Sequence, residues 1–167
     1  MANTDPTLIK LSDLSSINGD QVFTSVVKST GVVMECPVGL GFRLDNSDLW
    51  TLPLEPLVSV QGGKTIVRRN IAKSVTTGTV KEQWNLDDYK IQVSGMFQGK
   101  GVFPESDLAK LQTFLEAGKS VVIHCKLLDV LGIGLMCIDT WDFPETAGLE
   151  NQKYKFSGYS DKYFSLS

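Results

Sequence analysis

The sequence predicts an α+β fold that is predominantly antiparallel β, with a barrel-like or sandwich-like core. Three observations carry this prediction. Apolar and polar residues alternate over Tyr89–Phe97, which is the period of a half-buried strand. β-branched residues are dense on both sides of a turn signal at Thr76–Gly78. Leucines recur convincingly at helical spacing in one segment, near residues 105–117.

The chain has 167 residues, of which 42% are hydrophobic and 21% are charged, as in an ordinary globular protein. Residues 1–20 are polar with weak apolar spacing, and we expect them to form an N-terminal arm. We expect residues 21–167 to form a single β-rich domain, because the length fits one domain and no internal repeat is present. The N-terminus lacks the pattern of a signal peptide. Apolar stretches are too short for a membrane-spanning helix, so no membrane insertion is expected.

Short extended segments are predicted ahead of the regular part of the chain. Residues 21–28 and 31–36 have the composition of strands. The glycine and proline residues that follow predict a loop over 38–48. Residues 50–54 and 57–61 are predicted to form another extended pair around two prolines.

A long hairpin is predicted at residues 64–84, between the Gly62-Gly63 turn and the next strand. Charged edges of such a hairpin protect against aggregation, which is one interpretation of its basic residues. The other interpretation is docking onto an acidic neighbouring subunit, for which arginine is well suited. The sequence does not distinguish between these two interpretations of the basic residues. We take as candidate interface residues the five basic side chains of this hairpin, which are Lys64, Arg68, Arg69, Lys73 and Lys81.

One main helix is predicted near residues 105–117. Pro104 suits the start of a helix, and the acidic side chains that follow it favour the positive end of the helix dipole. Gly118 suits its end. Residues 120–130 then carry apolar side chains on both faces, which predicts a central strand. Further strands are predicted at 135–143 and 152–158.

The cysteines predict neither a disulfide framework nor a zinc site. Cys36, Cys125 and Cys137 are odd in number and lack the spacing of a zinc ribbon. Each lies in an apolar run, where a free cysteine is usually a small core residue. A reducing compartment is therefore expected. No metal site and no cofactor are predicted.

No pattern indicates catalysis, and we predict that the chain is not an enzyme. His124 is the only histidine, and its neighbour Cys125 points to the opposite face of a regular strand. Gly63-Lys64-Thr65 resembles the end of a phosphate-binding loop, but Val58 stands where that motif needs glycine. Acidic pairs such as Asp87 and Asp88 are explained by turns. The net charge of −3 argues against direct nucleic-acid binding.

Several short sequence blocks follow one another along residues 57–166, and together they carry a family resemblance. They are Val58–Arg69, Gly78–Glu82, Asp87–Ile91, Phe103–Glu105 ahead of the helix, and Asn151-Gln152 with Ser160-Asp161 near the end. This series resembles a domain-of-unknown-function family found in Bacteroidetes prophages and contractile-tail gene clusters. It is also similar to phage tail-hub and baseplate proteins.

The resemblance implies a structural component of a phage or phage-like contractile tail, either in the baseplate or hub or in a ring next to the tail tube. The implied partners are copies of the chain in a ring and neighbouring tail or baseplate proteins. The implied location is a virion tail or injection-machine particle, with the bacterial cytoplasm before assembly. The family supplies no catalytic residue to carry over.

Two other functions stay open on the residues alone. A soluble carbohydrate- or peptide-binding module would use exposed aromatic side chains such as Trp50, Trp84 or Tyr159 as its platform. A hydrolase would have to be centred on His124.

Overall fold

The computed structural model describes residues 36–70, 78–99, 101–146 and 150–162, together with two short strands nearer the N-terminus. The predicted arm at residues 1–20 lies outside the described residues. Antiparallel strands dominate the described part, so the predicted fold class is confirmed. The assignment of residues 21–167 to a single domain stays a prediction.

Eleven strands and two helices are present among the described residues. The helices are α1 (Glu105–Leu115) and α2 (Lys126–Val130). The strands are β1 (Ser25–Val26), β2 (Val33–Met34), β3 (Gly39–Gly41), β4 (Trp50–Thr51), β5 (Leu57–Gln61), β6 (Lys64–Arg69), β7 (Val80–Leu86), β8 (Lys90–Gln98), β9 (Val121–His124), β10 (Leu135–Asp142) and β11 (Asn151–Asp161).

Seven strands form one open antiparallel sheet in the order β4-β3-β9-β10-β11-β8-β5. β4 and β5 are its two edges, so the sheet is not a closed barrel. Among the described strands β6 and β7 pair only with each other, which confirms the predicted hairpin. β1 and β2 form a third, short antiparallel pair inside the two predicted N-terminal strands.

The large sheet curls back on itself and encloses the core. Trp50 lies in the edge strand β4, and Phe97 lies in β8, five strand positions away. Five spacings would separate them by about 24 Å in a flat sheet. Their ring centroids are 6.4 Å apart instead. The two halves of the sheet therefore face each other, which makes the fold sandwich-like.

Helix α1 packs on this core through its apolar stripe. Leu111, Phe114 and Leu115 are buried at helical spacing. The Phe114 ring stacks on Phe42 with centroids 4.6 Å apart and on Trp50 with centroids 5.9 Å apart. The helix lies where the sequence predicts it, and its apolar face joins the aromatic side chains of the sheet.

A glycine makes room for the largest buried ring of the sheet. Gly95 in β8 lies directly opposite Tyr154 in β11, and the phenol ring lies against the glycine. A side chain at position 95 would occupy the space of that ring. The Tyr154 hydroxyl is buried and has no hydrogen-bond partner among the described residues. This burial raises the pKa of Tyr154, because the charged phenolate is poorly solvated there.

The predicted strand at 120–130 is wrong in its second half. β9 ends at His124, and the chain then forms the short helix α2. The Cys125 carbonyl accepts a hydrogen bond from the Asp129 amide at 2.9 Å, and Leu128 is the one α2 side chain that is buried. Gly132 leaves the helix with a positive φ of 70°. The first half is confirmed as a central strand, with β3 and β10 on either side.

Two further predictions need correction. The predicted loop at 38–48 contains β3, whose three residues are fully enclosed between β4 and β9. Of the segments predicted at 50–54 and 57–61, the first forms a strand only over its first two residues and the second over its whole length, and the two are not a pair. Instead they lie at opposite edges of the sheet, because β4 pairs with β3 and β5 pairs with β8.

Candidate subunit interface

The β6–β7 hairpin continues the edge of the large sheet. β5 leads into β6 across Gly62-Gly63, and β7 leads into β8 across residues 87–89. Since β5 pairs with β8 and β6 pairs with β7, the four strands form one long ribbon whose outer half is the hairpin. At the junction the Thr65 hydroxyl donates to Asp87 at 2.8 Å, and the Asp87 amide donates to the Gly63 carbonyl at 3.1 Å.

One side of the hairpin, which we call the basic face, carries Arg68, Lys81, Ile66 and Gln83. Arg68 lies directly opposite Lys81, and Ile66 lies opposite Gln83. Directly opposed side chains share a face, and like charges in that position are destabilising. No carboxylate among the described residues lies within ion-pair distance of Arg68 or Lys81. An acidic partner would therefore relieve this repulsion.

The hairpin also exposes the apolar side chains Val80, Trp84 and Leu86, which together we call the apolar patch. The register shift next to Thr65 leaves Trp84 without a paired residue on β6, and Leu86 lies opposite Lys64. Trp84 is 67% exposed and Leu86 is 64% exposed. A large exposed indole beside other apolar side chains is typical of an interaction surface rather than of a solvated edge.

Arg69 already has a partner within the hairpin. Its Nε lies 3.1 Å from the Glu82 Oε2, and both side chains are well exposed. An exposed pair of this kind contributes only about 0.2–1 kcal/mol to the free energy of unfolding. Arg68 and Arg69 therefore lie on opposite faces and in different electrostatic settings, although they are neighbours in the chain.

The structure brings four of the five candidate interface residues onto this hairpin. They are Lys64, Arg68, Arg69 and Lys81, whereas Lys73 lies outside the described residues. Their role at an interface stays a prediction. Sequence reasoning missed the apolar patch, although a signal was present: Val80, Trp84 and Leu86 are apolar residues among the polar residues of β7.

His124 is not assembled into a catalytic arrangement in the described part of the chain. Its Nδ1 lies 3.2 Å from Asp129 Oδ1. Its Nε2, the atom that would receive a proton from a nucleophile, is buried and has no partner among the described residues. Those residues also hold no group of three or more side chains suited to a metal ion. Neither described helix combines the length and the apolar character needed to cross a membrane.

The aromatic side chains suggested for a binding module do not share one surface element. Trp50 is stacked within the core aromatic cluster, Trp84 lies on the hairpin and Tyr159 lies on β11. Two hollows among the described residues have volumes of about 240 and 250 Å³ and are open to solvent. Pockets for small ligands usually enclose roughly 300–1,000 Å³. Neither of these two hollows reaches that size.

Comparison with known proteins gives one family and several structural neighbours. A family model with the description "Domain of unknown function (DUF6046)" matches residues 51–167. A search of curated proteins finds no significant match. The Dit (gp 19.1) protein of phage SPP1, described as a hub adsorption apparatus of Gram-positive infecting phages, is similar with a TM-score of 0.49 and 16% identity. That match covers 74% of this chain and 49% of Dit, so the chain spans about half the length of that protein.

Two further neighbours come from gene transfer agent particles. A chain in the tail of the empty particle has a TM-score of 0.41 and 16% identity, over 78% of this chain and 95% of its own length. A chain in the native virion has a TM-score of 0.42 and 15% identity, over 75% of this chain and 92% of its own length.

Proposed function

We propose that this chain, which belongs to the DUF6046 family, is a structural component of a phage or phage-like contractile tail that acts through contacts between subunits. Its position would be in the baseplate or hub, or in a ring next to the tail tube. The observation that carries the proposal is the β6–β7 hairpin, which extends the sheet edge and exposes an apolar patch and a basic face. In this proposal the chain has no catalytic role, and it belongs to the prophage and contractile-tail setting that its sequence resembles.

The hairpin has the composition and the exposure of an interface element. A two-stranded hairpin is only marginally stable in water unless something covers one of its faces. Here both faces are open among the described residues, and Trp84 and Leu86 are mostly exposed. Tryptophan and arginine are the residues most enriched at the energetic centres of protein interfaces. A partner surface would bury the apolar patch and so supply the missing cover.

The charge distribution favours a second copy of the same chain as that partner. Residues 64–86 carry five basic and one acidic side chain, a net charge of +4, so the rest of the chain carries −7. A basic hairpin and an acidic body attract each other when they belong to different copies. Such a contact joins two different surfaces, and repeated contacts of this kind close into a ring when the rotation permits.

The proposed partners are therefore copies of the chain in a ring and the tail or baseplate proteins above and below it. The proposed location is a tail or injection-machine particle after assembly in the bacterial cytoplasm. The particle itself would then supply the environment in which the hairpin is covered.

The combined substitution Arg68→Glu and Lys81→Glu tests the proposal. It places two acidic groups on the basic face, and like charges across an interface cost enough to lower incorporation into particles by about tenfold or more. Thermal unfolding of the isolated chain is expected to be unchanged, because both side chains are exposed. The measurement is the amount of the variant that co-sediments with particles, in cells whose own copy of the gene has been deleted.

The matched control is Lys153→Glu with Lys155→Glu on β11, which changes the net charge equally and also alters two exposed side chains. This control is expected to enter particles normally. Normal incorporation of the hairpin variant would contradict the proposal. An equal loss of incorporation in both variants would show that net charge, not the hairpin, determines entry into particles.

A further inference from the structure

Two cysteines far apart in the chain meet at the margin of the core. The Sγ atoms of Cys36 and Cys125 are 3.1 Å apart, and the residues are separated by 89 positions. Cys36 is half-buried, Cys125 is buried, and the third cysteine, Cys137, is exposed on β10. This contact joins the segment that precedes β3 to the junction of β9 and α2.

Both partners of this contact are held in place by their backbone. The Cys36 amide donates a hydrogen bond to Glu55 Oε1 at 2.7 Å. Cys125 has an extended backbone, with φ −160° and ψ 146°, and its carbonyl accepts the first hydrogen bond of α2. Its side chain belongs to the hydrophobic core. The two sulfur atoms are therefore neighbours because of the fold, not because of a mobile surface contact.

We propose that Cys36 and Cys125 form an intrachain disulfide when the reduced chain meets a small-molecule disulfide oxidant. A disulfide bond is about 2.05 Å long, so the two sulfur atoms must approach by roughly 1 Å. Rotation of the half-buried Cys36 side chain can supply this movement while Cys125 stays in the core. The third cysteine, Cys137, lies on β10 and apart from this pair, which accounts for the odd number of cysteines.

The exposure of the two thiols sets the order of the reaction. Cys36 is accessible, so its thiolate attacks one sulfur of the oxidant, forms a mixed disulfide and releases one thiol. Cys125 then attacks the Cys36 sulfur, gives up its proton and releases the second thiol. The oxidant is reduced to two thiols, and the two protein thiols are oxidised to one disulfide. Burial and the neighbouring Cys36 raise the pKa of Cys125 to about 11, which disfavours Cys125 as the thiol that attacks the oxidant first.

The cross-link would close a long loop that contains β3 to β9. Closing a loop of this size restricts the unfolded chain strongly and stabilises the folded state. For a chain of this length the expected rise in the midpoint of thermal unfolding is roughly 5–15 °C. The inference is independent of the proposed role in a tail, because it depends only on the two sulfur atoms.

The test compares the purified full chain before and after incubation with oxidised glutathione. The oxidised chain is expected to lose two free thiols and to yield one linked peptide pair containing Cys36 and Cys125, identified by mass spectrometry. Its unfolding midpoint is expected to rise and to fall again on reduction with dithiothreitol. The variant Cys137→Ser should behave in the same way, since Cys137 takes no part.

The variant Cys36→Ala removes the accessible thiol and should lose both the linked peptides and the rise in midpoint. Because Cys36 is only half-buried, this variant is a safer choice than a change at Cys125. A stable mixed disulfide on Cys36, a link that involves Cys137, or a cross-link between two chains would each overturn the proposal. An unchanged unfolding midpoint after complete formation of the Cys36–Cys125 link would overturn its stabilising effect.

Discussion

Replacing Phe97 by alanine is expected to lower the free energy of unfolding by about 3–5 kcal/mol. The Phe97 ring is fully buried and lies where the two halves of the curled sheet meet. It stacks on Tyr154 of β11 with centroids 4.5 Å apart and faces Trp50 of the opposite edge. Its removal leaves a cavity between strands that cannot collapse without uncurling the sheet. Urea denaturation followed by tryptophan fluorescence measures the loss.

The matched control for this substitution is Tyr154→Phe. It keeps the neighbouring ring and removes a buried hydroxyl that has no partner among the described residues. Removing such a group is expected to leave stability unchanged or to raise it by about 1 kcal/mol. A loss below about 1 kcal/mol for Phe97→Ala would contradict the curled arrangement of the sheet. A large loss for Tyr154→Phe would show that its hydroxyl does have a partner.

The second large effect is expected from Trp84→Ser, and it concerns assembly rather than folding. Truncation of a central interface tryptophan typically costs about 2–4 kcal/mol of binding free energy, which is roughly a 30- to 1,000-fold loss of affinity. The free energy of unfolding of the isolated chain should change by less than about 0.5 kcal/mol, because the indole is mostly exposed. Co-sedimentation with particles and denaturation of the isolated chain measure the two quantities.

Trp141→Ser is the matched control, because Trp141 is also exposed, at 45%, but lies on β10 of the large sheet. We expect this variant to enter particles much more efficiently than Trp84→Ser. Equal incorporation of both variants at the level of the unchanged chain would show that the apolar patch of the hairpin contacts nothing. Loss of folding in Trp84→Ser would show that the indole packs within its own chain.

The elements that the sequence predicts well are those with a strong local pattern. The alternation in β8 extends over nine residues and the leucine spacing in α1 over two helical turns, so each pattern exceeds chance. α2 has only five residues, which is too short for a helical period to show against the preceding strand. β3 has only three residues, two of them glycine, and its strand conformation comes from pairing on both sides.

Topology and the two faces of the hairpin depend on contacts that no local pattern records. β4 and β5 are separated by five residues in the chain yet lie at opposite edges of the sheet, because β4 pairs with the preceding strand β3 and β5 pairs with β8, which follows the hairpin. The basic residues of the hairpin are visible in the sequence, but the opposition of Arg68 and Lys81 depends on the register of β6 with β7. The apolar patch becomes a candidate surface only because the large sheet leaves Trp84 uncovered.

The central claim is that the chain is a structural part of a tail, and immunogold labelling tests it most directly. Antibodies raised against the purified chain would be applied to particles released from the source cells and viewed by electron microscopy. We expect gold at one defined position along tail-like particles. Gold confined to soluble material, with unlabelled tails beside it, would contradict the claim.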